Sequence, residues 1–282
     1  MSLYRHVGIA AALSPRVEGL LAEALFHLGP VADRLSLVHA GARTRSKEKQ
    51  LRAAMEAAGI PDDATIFWEE GEPADAIIGA VRREDMDMVV AGALEKERPL
   101  RYYLGSVAHN LARELPCSLI LIPEPQRDPK PFRKVLVITD YSEASLIALV
   151  RAIRMAEREN AESIHVARVL SEYGQAMIMT EGYRRERARE IEAESLEEEE
   201  ELLRDFVDAA GASAVPIEAQ CLEGKTGQIA ATFAREIGAD VLVMPSSGQY
   251  STFLSRLFPA DMEWVLREIP CTLWVAREKV TN

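Results

Sequence analysis

The chain of 282 residues is 48% apolar, 28% charged and 6% aromatic, the balance of a folded globular protein long enough for two domains. Its 45 acidic residues against 33 basic ones give a formal charge of -12, which excludes a footprint for phosphate backbones and hence nucleic acid as a main partner. No apolar run approaches the roughly 20 residues of a membrane span, and Met1-Ser2-Leu3-Tyr4-Arg5-His6 lacks the apolar segment of a secretory signal, so a cytoplasmic protein with no membrane partner is expected.

Along the first 123 residues, short apolar runs at 6–12, 35–40, 64–69, 87–92 and 117–122 alternate with helical patterns. Leu20, Leu21, Ala24, Leu25 and Leu28 mark one apolar helix face, and Ala76, Ile77, Ala80 and Val81 mark another. The runs are rich in Val and Ile, which suits parallel strands covered by helices on both faces. Right-handed crossovers then give a doubly wound open sheet, an α/β fold of Rossmann-like type. Ligands bind such sheets outside the carboxyl ends of the strands where the winding reverses, here the ends of the first and fourth strands.

The segment 124–132 follows as a linker. Four prolines among Pro123-Glu124-Pro125-Gln126-Arg127-Asp128-Pro129-Lys130-Pro131 favour an extended, stiff chain. Beyond it the pattern repeats over 133–282. Val7-Gly8-Ile9-Ala10 corresponds to Val135-Leu136-Val137-Ile138 at a spacing of 128 residues. Glu70-Gly71 corresponds to Glu223-Gly224, and Glu114-Leu115-Pro116-Cys117 to Glu268-Ile269-Pro270-Cys271, at 153 and 154. The second copy therefore carries about 25 extra residues in its middle. They fall near 172–205, where Arg and Glu three or four apart predict an exposed charged helix. A partner-binding arm and a lid over the second cleft are the alternatives, and Met177-Ile178-Met179 reads as a flexible apolar contact surface.

Cys117, Cys221 and Cys271 show no metal-ligand spacing, so no zinc site is expected, and two of them read as small buried side chains at strand starts. The five histidines form no local nucleophile motif. No acidic cluster suggests a retained divalent metal.

After the fourth run, Met88-Val89-Val90-Ala91-Gly92, the chain reaches Gly105-Ser106-Val107-Ala108 at a predicted helix start. Here the sequence resembles the universal stress protein family, whose ATP-binding members carry a Gly, two residues, Gly, nine residues, then Gly-Ser or Gly-Thr. Glycines let the backbone close on phosphates, and a helix N-terminus offers unpaired N–H groups. Val135 to Glu143 looks like the family's first strand and turn, Gly71-Glu72-Pro73 like its turn before the third helix, and the Pro-Cys runs like its fifth strand. The resemblance covers both halves and implies a tandem pair of five-stranded domains, packed as a pseudo-twofold pair, with a monomer or a homodimer in solution.

Both halves depart from the ATP-binding pattern. In the first, Gly92, Gly105 and Ser106 match, Glu95 replaces the second glycine, and Ala12 stands at the family's base-side acid. In the second, Asp140 matches the acid and Gly248 of Ser246-Ser247-Gly248 matches the second glycine, while Pro245 replaces the first and Phe258-Pro259 stands at Gly-Ser. The resemblance thus implies a regulatory stress-response protein holding ATP, a related ligand or another anion weakly if at all, with at most slow ATP hydrolysis. The alternative is an interaction module working through protein partners. Asp140 reads equally as a helix-capping acid, Gly105-Ser106 as a helix cap and Ser246-Ser247-Gly248 as a polar turn.

Overall fold

The computed structural model describes residues 2–93, 105–170, 185–246, 260–267 and 269–277, without the side chains of 185–195 and 260–261. These residues divide into two compact units. The first holds the chain up to Pro131 together with the segment from Thr272; the second begins at Phe132.

In the first unit the order is β1 (Tyr4–Ala10), α1 (Val17–Leu28), β2 (Ala32–Ala40), α2 (Arg45–Ala58), β3 (Thr65–Glu69), α3 (Pro73–Arg83), β4 (Met88–Gly92), α4 (Ser106–Glu114) and β5 (Ser118–Ile122). All five expected strands form. They lie parallel as β3-β2-β1-β4-β5, so the winding reverses between β1 and β4. The runs become strands because their branched side chains are buried on both faces: Val7, Ile9, Leu37, Val89, Leu119 and Leu121 are all at most 1% exposed.

A sixth strand, β10 (Thr272–Arg277), joins this unit antiparallel to β5, pairing Leu273 with Leu121 and Val275 with Leu119. It is locked at its end by a charge. The Arg277 side chain is almost wholly buried, and its guanidinium donates to the carbonyl of Leu115 at 3.0 Å and to that of Ala112. Those carbonyls lie at the end of α4, where the helix has no partners of its own and the helix dipole favours a cation.

The second unit repeats the plan with β6 (Lys134–Thr139), α5 (Glu143–Glu159), β7 (Ser163–Leu170), α6 (Arg185–Ala209), β8 (Ile217–Glu223), α7 (Thr226–Ile237), β9 (Val241–Ser246) and α8 (Ala260–Arg267). Its strands run parallel as β9-β6-β7-β8. Asn160 at φ 52° and Gly238 at φ 65° end α5 and α7 in the left-handed conformation that returns the chain to the sheet. Part of the extra length of the second copy lies in α6: it occupies the place that α2 has in the first unit, but runs for 25 residues against 14. Residues 172–184 of that insertion lie outside the described residues.

Cys117 is buried just before β5, as expected for a small apolar side chain, and Cys271, partly covered before β10, has its thiol pushed up to about 12 by burial.

The proline-rich segment does not run free of the first unit. The Gln126 amide donates to the buried Glu23 carboxylate at 2.8 Å, Arg127 pairs with Glu18 at 2.8 Å, and the Pro125 carbonyl presses against Gly19 of α1. A Cβ on Gly19 would stand 2.6 Å from that oxygen. On a helix with a free face, Gly19→Ala should add about 1 kcal/mol of stability from helix propensity. Here we expect a net loss of about 1 kcal/mol or more in urea unfolding, because the close contact outweighs that gain. A stabilised variant would mean that the segment does not rest on α1.

Candidate functional site

In the first unit a cavity of about 360 Å³ opens at the carboxyl ends of β1, β2 and β4, the place where the winding reverses. Its floor and walls are small and apolar. Ala10, Ala11 and Ala12 come from the end of β1, Val38, His39 and Ala40 from β2, and Ala91, Gly92 and Ala93 from β4. Val107, Ala108 and Leu111 of α4 close one side, and Pro123 and Pro125 of the proline-rich segment close another.

Of the residues singled out by sequence, Gly92 and Gly105 both line this cavity. A Cβ on Gly92 would meet nothing within 4 Å, so the packing of the unit does not demand a glycine there. The space it leaves belongs to the cavity. Gly105 is the residue before α4; its N–H donates to the Ala93 carbonyl at 2.9 Å and its carbonyl accepts from the His109 amide at 3.0 Å. That N–H is therefore engaged within the loop neck. Having no side chain, Gly105 gives α4 no side-chain cap, and Ser106 follows as the exposed first residue of the helix. Glu95 lies outside the described residues.

His39 was not distinguished by sequence from the other histidines. Its Nδ1 is 2.8 Å from the Ala11 carbonyl, which only accepts, so Nδ1 carries the proton and donates. The ring is 5% exposed and stands edge-on to Trp68 with centroids 4.9 Å apart. It thereby ties the end of β2 to the end of β1 at the cavity wall. The signal was its place at the last turn of an apolar run, which only the parallel register turns into a shared crevice. His6, by contrast, is held at the other end of the sheet, with Nε2 on Ser36 Oγ at 2.9 Å and Nδ1 on the Glu84 carbonyl at 3.0 Å.

At the corresponding strand ends of the second unit the described side chains are polar and charged. Asp140 follows β6, and its carboxylate accepts from the Ser142 amide at 3.0 Å and from the Ser142 hydroxyl. Ser142 in turn caps α5, accepting from the Ser145 amide at 3.2 Å. Burial pushes the Asp140 carboxyl up, but the Ser142 hydroxyl and amide outweigh it and leave the pKa below its ordinary value. Tyr141, at φ 62°, turns its phenol onto α6: the hydroxyl donates to the Glu199 carboxylate at 3.0 Å, and the Arg168 guanidinium lies 4.8 Å over the ring. Burial, with Glu199 beside it, raises the phenol's pKa. Phe206 of α6 packs on the same ring at 5.6 Å.

By strand register Arg168 stands where His39 stands in the first unit. One set of strand ends therefore presents alanines and an imidazole, and the other an acid, a phenol and a guanidinium tied to a helix. Ser246 ends β9 and its hydroxyl accepts from Arg277 Nε at 3.3 Å, while Ser247, Gly248, Phe258 and Pro259 lie outside the described residues. Among the described residues no group of three or more His, Cys, Asp or Glu could hold a metal, and no helix is long and apolar enough to cross a membrane.

These hydrogen bonds make Asp140 part of a helix start. Asp140→Ala should cost about 1 kcal/mol, checked by thermal and urea unfolding, without changing ATP binding by calorimetry. Because the folded pKa is lowered, the Asp140 contribution is full above its ordinary 3.8 and fades as pH falls below that value. The gap between wild type and variant should narrow over the same range. A loss of ATP affinity at unchanged stability would instead make Asp140 a ligand contact.

Comparison with known proteins places this architecture. The universal stress protein family matches residues 17–123 and again 131–277. No curated protein matches the chain in a sequence search. Among solved structures, a candidate universal stress protein from Pseudomonas aeruginosa UCBPP-PA14 superposes with a TM-score of 0.69 at 17% identity, covering 98% of this chain and 94% of that one. A universal stress protein from Archaeoglobus fulgidus DSM 4304 gives 0.65 at 17% identity, covering 96% and 98%. With two matches that together span most of its length, the chain belongs to the universal stress protein family and is of the tandem type.

Proposed function

We propose that the protein is a cytoplasmic regulatory component of a stress response that signals through occupancy of the cavity in its first unit, and that it binds ATP weakly if at all. The observation that carries this reading is the contrast between the two crevices. At the end of β1 the first has an apolar cavity, whereas at the end of β6 in the second Asp140 is bonded to Ser142, and Tyr141 is bonded to Glu199 with Arg168 over its ring. The first crevice has lost the acid that the family uses near the base and ribose, since Ala12 stands there, so a nucleotide entering it finds part of a phosphate cradle and no anchor for its sugar. Binding rather than turnover is the proposed action: the ligand shifts the population of forms that a partner reads.

A second reading, an interaction module acting through protein partners, is favoured by α6. Leu202 is 53% exposed on that helix beside the acidic side chains Glu197, Glu198, Glu200 and Glu201.

Mass spectrometry of material released on denaturing the purified chain, followed by ATP calorimetry on the stripped protein, tests the first reading. We expect at most one small molecule per chain and an ATP Kd no tighter than about 0.1 mM. Ala12→Asp should tighten ATP at least about tenfold, equivalent to ~1.4 kcal/mol. An empty protein that gives no heat with ATP, in wild type and variant alike, would favour the interaction module.

A further inference from the structure

We infer that the cavity of the first unit takes a small, uncharged, largely apolar molecule bearing one hydroxyl, an aromatic or aliphatic alcohol, in preference to a phosphorylated nucleotide. This rests on the reading above that the first crevice is the ligand site, and names the class of ligand.

The lining decides the charge. Apart from His39, Ser14 and Arg16, the side chains on the described wall are alanines, prolines and larger aliphatic groups, and no carboxylate is among them. Taking a multiply charged ligand out of water requires counter-charges and hydrogen-bond partners inside the site. The single cation among the described residues of the wall, Arg16, is a rim residue already engaged in other interactions. The Gly105 amide, which would otherwise point to a phosphate, is bonded to the Ala93 carbonyl. The volume of about 360 Å³ lies near the lower end of the range of about 300–1,000 Å³ found for small-molecule pockets.

His39 decides the polar group. Its Nδ1–H is held by the Ala11 carbonyl, so in the neutral form of the ring, about nineteen-twentieths buried on the cavity wall, Nε2 is the acceptor. Nε2 makes no hydrogen bond among the described residues. A ligand that donates one hydrogen bond satisfies it; a carboxylate or phosphate presents only acceptors and meets a lone pair. The register partner in the second unit shows the alternative chemistry, because there the same place is held by Arg168, a cation, beside Glu199.

The test is a fluorescence titration of the full chain with 1-naphthol, alongside 1-naphthoate, naphthalene and ATP. The expected result is one naphthol per chain, bound at least tenfold more tightly than 1-naphthoate. Ala12→Trp, at an exposed position on the cavity wall, should weaken naphthol at least tenfold with an unchanged melting temperature. Val107→Trp, on the α4 side, is the second blocking variant should the first misfold. In His39→Leu the advantage of naphthol over naphthalene should collapse to less than threefold. Equal affinities for naphthol and naphthoate, or naphthol binding untouched by both tryptophans, would overturn the inference. ATP binding that the tryptophans abolish, with no naphthol binding, would sink the alcohol and leave the first crevice as a ligand site. Failure of every probe would sink both.

Discussion

One buried guanidinium governs the geometry of the first unit. Arg277 closes the carboxyl end of α4 by filling the carbonyls of Ala112 and Leu115, and its own backbone is paired with Ser118 through 3.0 Å bonds in both directions. Leaving those carbonyls bare in the interior would cost about 1–3 kcal/mol each. The helix is therefore pinned at one end. Its other end supplies Gly105, Val107 and Ala108 to the cavity, so the position of that wall follows from a contact at the far end of the helix.

The two units share a plan and differ in how they treat the end of their first strand. In the first, three successive alanines leave a void and a histidine bridges two strand ends without filling it. In the second, a left-handed Tyr141 directs its ring to α6, and the longer helix brings Glu199 and Phe206 to meet it. The described residues thus give one unit an apolar crevice and the other a polar, charged set at the same strand ends.

Much of this was legible in the sequence because it is local. Apolar runs predicted all five strands of the first unit, the spacing of 128 against 153 located the extra residues, and the glycine pattern directed attention to the ends of β1 and β4. Three things were not legible. That β10 lies against β5 in the first unit could not be read from Thr272-Leu273-Trp274-Val275, because a strand's pattern records how deeply it is buried and not which neighbour it has. The bond from the Ser142 hydroxyl to Asp140 could not be read from Asp140-Tyr141-Ser142, because it depends on the left-handed turn at Tyr141. His39 was hidden because its neighbour in space, Ala11, lies 28 residues away, and only the register of β1 with β2 brings them together.

The strand that ends at Arg277 also sets an order on the making of the protein. Domains generally fold as the chain leaves the ribosome, from the amino terminus onward. Here the sheet begun by Tyr4 lacks its outer strand, and α4 its guanidinium, until residue 277 has been synthesised. The first unit must wait for residues 272–277, so the unit that emerges first is completed only after the strands of the second have been made. A nascent chain stalled in the second half therefore carries an uncovered β5 edge, open to pairing with another chain.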